Sequence, residues 1–130
     1  MIFFGRRLGA ALLVVAGLAT PLSASAPTPV GDWQISTGES RFEITNCGDG
    51  TLCAKLTWLD AEASQDETLA SYLGDYVMEG ATPAAANTWT GAVNYDGDVF
   101  SGKLTMVDED TLSIQGCKAI FCKSMELERI

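Results

Sequence analysis

The feature that most constrains the fold is a two-residue alternation of apolar and polar side chains. It is clearest over residues 88–95 and 99–107, which flank Asp96-Gly97, a dipeptide typical of a tight hairpin turn. Successive side chains of a β-strand point to opposite faces, so this alternation predicts strands with one buried face. The two segments therefore predict a β-hairpin in the C-terminal third of the chain.

Similar segments recur from residue 31 to the end and predict about eight strands. They lie at 33–35, 41–45, 52–58, 76–78, 88–95, 99–107, 112–114 and 124–130. A long connection over 60–74 contains a short helical turn, and an Ala/Pro loop follows at 80–87. Closure removes the unpaired edges of such a meander. We therefore predict an all-β fold, a small antiparallel up-and-down β-barrel, with a β-sandwich as the alternative.

The N-terminus has the pattern of a cleavable signal peptide. Arg6 and Arg7 precede an uncharged apolar run over 8–19, and Ala24-Ser25-Ala26 is a small-x-small cleavage site. The run is shorter than the roughly 20 residues of a membrane span. We expect a signal peptide at 1–26, a lead-in at 27–30 and a single β-barrel domain at 31–130. The mature chain would then be periplasmic, in a Gram-negative bacterium, and not membrane-spanning.

Charge and composition exclude several functions. Without Arg6 and Arg7, six basic residues face 17 acidic residues, and the formal net charge moves from −9 to −11. A surface this negative repels nucleic acids. The chain has no histidine, the usual general base and a common metal ligand. The acidic residues match no calcium-loop pattern. We expect no catalytic residue, no metal, no cofactor and no nucleic-acid partner, and we expect a monomer.

Four cysteines in an exported chain indicate disulfide bonds, and four cysteines allow three pairings. The short spacings favour two local bridges, Cys47–Cys53 and Cys117–Cys122. A zinc site would need tighter C-x-x-C pairs. The alternation also places all four cysteines on the outward side of their strands, which leaves the barrel interior apolar.

Residues at the two ends of the domain resemble the structural signature of the calycin, or lipocalin-like, barrels. Gly31-Asp32-Trp33 opens the first strand, and Arg129 lies in the last. The resemblance implies that Gly31, Trp33 and Arg129 close one barrel end, with the guanidinium stacked on the indole.

The mature chain also resembles the exported bacterial family catalogued as domain of unknown function 2147. The similar stretches are Gly31-Asp32-Trp33, Asn46-Cys47, 52–56, Trp89-Thr90-Gly91, 100–104, 112–117 and Phe121-Cys122. Two positions depart from the family pattern, where Leu127 replaces a tryptophan and Gly97 replaces a proline. The resemblance implies a secreted barrel and carries no established activity.

Two functions remain open from the sequence. The first is non-enzymatic binding of a small apolar or amphipathic ligand inside the barrel, with 60–74 as a lid over one end. The lining candidates are inward aromatic and aliphatic residues: Phe42, Leu56, Trp58, Trp89, Tyr95, Phe100 and Leu104. The second is a protein-interaction, inhibitor or envelope-accessory module in which the same residues fill a solid core.

Overall fold

The computed structural model describes residues 27–130, which form a closed barrel of eight antiparallel strands in chain order. The signal peptide predicted over 1–26 lies outside the described residues. The strands are β1 (Gly31–Ile35), β2 (Ser40–Asn46), β3 (Leu52–Leu59), β4 (Tyr76–Ala85), β5 (Thr88–Tyr95), β6 (Asp98–Asp108), β7 (Thr111–Lys118) and β8 (Phe121–Arg129). The predicted all-β, up-and-down barrel is confirmed.

The barrel closes where the first strand meets the last. β1 pairs with β8 through Trp33↔Arg129, Gln34↔Glu128 and Ile35↔Leu127. This pairing satisfies the backbone groups that an open sheet would leave at its two edges. Each strand pairs antiparallel with the next strand in the chain. The eight strands therefore follow one another around the barrel, and the last strand lies beside the first.

Up-and-down connectivity separates the turns into two sets. The β2–β3, β4–β5 and β6–β7 turns lie at the end where β1 begins and β8 finishes, which we call the closed end. The β1–β2, β5–β6 and β7–β8 turns lie at the opposite end, which we call the mouth. The long β3–β4 connection also lies at the mouth, and its 3-10 turn (Ala63–Gln65) and helix α1 (Glu67–Ser71) correspond to the predicted helical turn.

Each end carries one disulfide bond. Cys47 is bonded to Cys53 across the β2–β3 turn at the closed end. Cys117 is bonded to Cys122 across the β7–β8 turn at the mouth. Each bridge therefore links the two strands of one hairpin, and none of the four cysteines is free.

The predicted Ala/Pro loop over 80–87 is wrong, because β4 continues to Ala85. The extension pairs with β5 through Thr82↔Thr90 and Pro83↔Trp89. A side chain on Gly91 would stop this pairing, since a Cβ there would lie 2.9 Å from the Cα of Ala81. A long-range contact with a glycine thus overrides the local composition, which is typical of a loop.

The prediction that Trp58 shares the inward face of Leu56 is also wrong. The register between β2 and β3 shifts, so that Phe42 pairs with Leu56 but Arg41 pairs with Trp58. The extra residue forms a β-bulge, which reverses the alternation beyond it. Trp58 consequently points outward, 37% exposed, with the Arg41 guanidinium 4.3 Å from its ring centre, while Leu59 takes the inward position.

Candidate ligand-binding site

The interior of the barrel is hollow in its upper half, toward the mouth. The cavity has a volume of about 940 Å³, and most of its wall is apolar. Its aliphatic and aromatic lining residues are Ile35, Phe42, Ile44, Ala54, Leu56, Leu69, Tyr72, Val77, Met78, Val93, Tyr95, Phe100, Leu104, Ile114, Ala119, Phe121, Met125 and Leu127. Protein pockets that enclose small molecules span about 300–1,000 Å³, so this cavity is of ligand-binding size.

The lower half of the barrel is packed and forms a floor beneath the cavity. Five buried residues near the closed end make up this floor and do not line the cavity: Trp33, Leu52, Ala81, Met106 and Leu112. They belong to the same apolar cluster as the cavity residues Ile35, Ile44 and Leu127. The floor supplies a conventional hydrophobic core, and the remaining inward positions can therefore stay open without loss of the fold.

Trp33 and Arg129 lie at the closed end, outside the cavity. The Trp33 indole is fully buried and donates a hydrogen bond from Nε1 to the Pro29 carbonyl oxygen at 2.8 Å. The Arg129 Cζ atom lies 4.3 Å from the centre of the indole ring, within the range of a cation–π interaction. Arg129 also donates hydrogen bonds to the carbonyl oxygens of Val30 and Thr28, at 3.0 and 2.8 Å.

Gly31 makes this arrangement possible. Its φ is +144°, a region that other residues rarely adopt, and a Cβ would lie 2.7 Å from Arg129 Nη1. Glycine is required here because the guanidinium crosses directly over the backbone of β1. Gly31, Trp33 and Arg129 therefore pack together, and their contacts attach the lead-in segment to the closed end of the barrel.

The β3–β4 connection covers part of the mouth. Asp66 caps helix α1 by accepting a hydrogen bond from the Leu69 backbone at 3.1 Å. The helix places Leu69 and Tyr72 in the cavity wall. Tyr72 accepts a hydrogen bond from the Asp96 backbone at 2.8 Å, and its ring stacks on Tyr95 at 5.5 Å between centroids. These contacts fasten the connection to the β5–β6 turn.

Five of the seven lining candidates predicted from the sequence lie in the cavity wall: Phe42, Leu56, Tyr95, Phe100 and Leu104. Trp58 lies on the outer surface because of the bulge. Trp89 faces inward but pairs with Pro83 at the closed end and packs against the core cluster. The sequence interpretation favoured aromatic residues and so missed aliphatic ones such as Met78 and Ile114, which the same alternation could have identified.

Tyr95 lies in the cavity wall, and its environment raises the pKa of its side chain. Burial raises the pKa of its phenol above the usual 10.0, and the nearby carboxylates of Asp66 and Asp96 add to the rise. The folded protein therefore holds this proton more tightly than the unfolded chain. The stability that it contributes is complete below the usual pKa and is lost as pH rises through the raised value.

We expect the Tyr95→Phe variant to lose unfolding free energy less steeply with pH in the alkaline range than the wild type. Chemical denaturation at several pH values above neutrality would measure this slope. Tyr76→Phe is the matched control, since Tyr76 is exposed at 43% and outside the cavity wall, and it should keep the wild-type slope. An unchanged slope in Tyr95→Phe would contradict the assigned environment.

The described residues provide little for other chemistry. Within 27–130, no group of three His, Cys, Asp or Glu residues is placed to hold a metal ion. Over the same range, no helix has the length and apolar character needed to cross a membrane. Glu39 is the single carboxylate among the cavity-lining residues of the described chain.

A closed eight-stranded meander with a packed floor and an apolar cavity defines a small antiparallel β-barrel, consistent with a calycin-like architecture. The chain belongs to the bacterial family described as "Uncharacterized protein conserved in bacteria (DUF2147)", whose model matches residues 31–129. It is similar to a solved structure described as a redesigned beta barrel, at 15% identity and a TM-score of 0.51. That match covers 78% of this chain and 90% of the other, and it shows the fold alone. A comparison with curated proteins finds no match.

Proposed function

We propose that this domain is a non-enzymatic, periplasmic binding protein for a small apolar or amphipathic molecule, and that it acts as a monomer. The observation that carries the proposal is the cavity of about 940 Å³ with its apolar wall. The apolar wall of a cavity of this size would otherwise be in contact with water, so transfer of an apolar ligand into it is favourable.

The composition supports binding rather than catalysis. The chain has no histidine, and Glu39 is the one carboxylate of the described cavity wall, so a facing pair of acid and base groups is missing there. Two disulfide bonds suit the oxidising periplasm. We infer that the barrel holds its ligand unchanged.

Binding of a neutral apolar fluorophore, N-phenyl-1-naphthylamine, tests the proposal. We expect its fluorescence to rise on addition of the protein and to fall again when dodecan-1-ol competes for the cavity. Native mass spectrometry of protein purified from periplasm should also show a co-purified small molecule. Absence of both the fluorescence change and any bound molecule would contradict ligand binding.

A protein-interaction role is the second candidate, and exposed apolar residues at the mouth favour it. Ile120 lies in the β7–β8 turn and Phe121 begins β8, and they are 88% and 77% exposed. Apolar residues this exposed are typical of contact surfaces when they cluster. Failure of both ligand tests would leave this role as the better explanation of the domain.

A further inference from the structure

The charge of the cavity wall is opposite in sign to the charge of the domain. The mature chain predicted from the sequence has 17 acidic and six basic residues. The charged residues of the cavity wall are two lysines, Lys118 and Lys123, and one glutamate, Glu39. Two of the six basic residues therefore line the cavity, against one of the 17 acidic residues.

Lys123 is placed toward the cavity by the register of β8. It has the same parity as the inward residues Met125 and Leu127, and it pairs with Gly116 on β7. Gly116 has no side chain, and a Cβ built on it would meet no atom within 4 Å. The lysine thus stands beside open space at the upper edge of the apolar wall.

The two lysines differ in their partners. Lys118 Nζ forms an ion pair with Asp98 at 2.9 Å. Among residues 27–130, Lys123 takes part in no ion pair or side-chain hydrogen bond. Lys123 is exposed at the mouth and lines the cavity there, so its ammonium can contact an anion held by the cavity, and a charge-assisted hydrogen bond of this kind is roughly twice as strong as a neutral one.

A second polar group of the wall also lies toward the mouth. Ser40 begins β2 directly after the β1–β2 turn, lines the cavity and is 4% exposed. Within the described chain its hydroxyl makes no hydrogen bond, although buried hydroxyls are normally paired. It can therefore donate a hydrogen bond to an oxygen atom of a bound molecule.

We propose that the ligand is an amphiphile with one alkyl chain and an anionic head group. The alkyl chain lies against the apolar wall, and the head group lies at the mouth, in contact with the Lys123 ammonium. This inference rests on the proposed function, because it names the ligand class of the same cavity. Lys118 adds positive potential, and the Ser40 hydroxyl offers a donor to an oxygen atom of the ligand.

Three ligands with the same alkyl chain and different head groups test the inference: dodecanoate, dodecan-1-ol and dodecylamine. Isothermal titration calorimetry below their aggregation thresholds would give the affinities at neutral pH. We expect the wild type to bind dodecanoate roughly tenfold more tightly than dodecylamine, the effect of one charge-assisted contact at a partly solvated site. This preference should weaken in about 0.5 M salt, where charges are screened over a few ångström.

Substitution of Lys123 isolates its contribution. Lys123→Gln should lower dodecanoate affinity roughly tenfold and leave dodecan-1-ol affinity unchanged, and Lys123→Glu should reverse the order of dodecanoate and dodecylamine. Lys103→Gln is the matched control, because Lys103 is exposed and absent from the cavity wall. It removes the same charge and should preserve the wild-type order.

The outcomes separate the two proposals. Equal affinity of the wild type for all three ligands would overturn the head-group inference while the binding function stands. Equal weakening of all three ligands in Lys123→Gln would also overturn it, since the lysine would then act on the cavity as a whole. Binding of none of the three, together with a negative fluorophore test, would overturn the binding function as well.

Discussion

Replacement of Trp33 by alanine is expected to lower the free energy of unfolding by about 3–5 kcal/mol, the range for large buried aromatic residues. The indole is fully buried in the barrel floor, bonds the Pro29 carbonyl and lies under the Arg129 guanidinium. Its loss leaves a cavity and removes the partner of a cation at the barrel closure. Small domains have total stabilities of about 5–15 kcal/mol, so this one change removes a large part.

Trp58→Ala is the matched control. Trp58 also lies 4.3 Å from an arginine, Arg41, but on the outer surface. We expect it to cost about 1 kcal/mol or less, because an exposed cation–π contact contributes about 0.5–1 kcal/mol. Denaturant unfolding of both variants with the disulfides intact would give the comparison. Similar losses in the two variants would show that burial in the floor does not explain the role of Trp33.

Trp33→Phe separates packing from hydrogen bonding. The ring remains in the floor, but the Nε1 donor to Pro29 is lost. We expect a loss of about 1–3 kcal/mol, the cost of leaving a buried polar group unpaired. This value should fall between those of the alanine variant and the wild type.

Replacement of Gly116 by tryptophan is expected to abolish or strongly weaken ligand binding, by roughly tenfold or more, without unfolding the barrel. Gly116 is in the cavity wall, its φ is not in the left-handed region, and a Cβ there meets no atom within 4 Å. A large side chain can therefore enter the cavity without displacing the backbone. Since glycine weakens a strand, stability should stay equal or rise, by up to about 1 kcal/mol.

The effect on binding should be larger for hexadecanoate than for dodecanoate, because the added indole shortens the space for an alkyl chain. Ser124→Trp is the control, since Ser124 lies on the neighbouring strand, points to the outer surface and is absent from the cavity wall. It adds the same side chain outside the barrel and should bind both ligands as the wild type does. Unchanged binding in Gly116→Trp would place the ligand outside the barrel.

The free space inside the barrel differs among three inward glycines, Gly91, Gly102 and Gly116. A Cβ on Gly91 would meet the Ala81 backbone, and one on Gly102 would come within 2.8 Å of Val93 and Met78 side-chain atoms. These two glycines are needed for close packing of β4, β5 and β6. Gly116 faces the cavity instead, although the sequence alternation assigns it the same inward orientation as Gly102.

Much of the barrel could be predicted from the sequence, because tight turns and short disulfide loops depend on residues that are close together in the chain. The β5–β6 hairpin has the predicted register around Asp96 and Gly97, which both have positive φ, as a tight hairpin turn requires. The short cysteine spacings favoured the pairs that the structure contains. The β-bulge at Trp58 and the length of β4 could not be predicted, because both depend on the register with a neighbouring strand.

The sequence by itself determined the number and order of the strands, where most turns fall and, apart from Trp58 beyond the β-bulge, which of the candidate side chains point inward. It also contained the Gly31, Trp33 and Arg129 pattern of the closed end. Only the tertiary structure decided that the inward residues form a packed floor and an open upper half. The physical reason is that alternation specifies direction, whereas interior volume depends on how side chains from all eight strands meet across the barrel. The hollow half, with Lys123 at its edge, is therefore the property that turns this fold into a candidate binding protein.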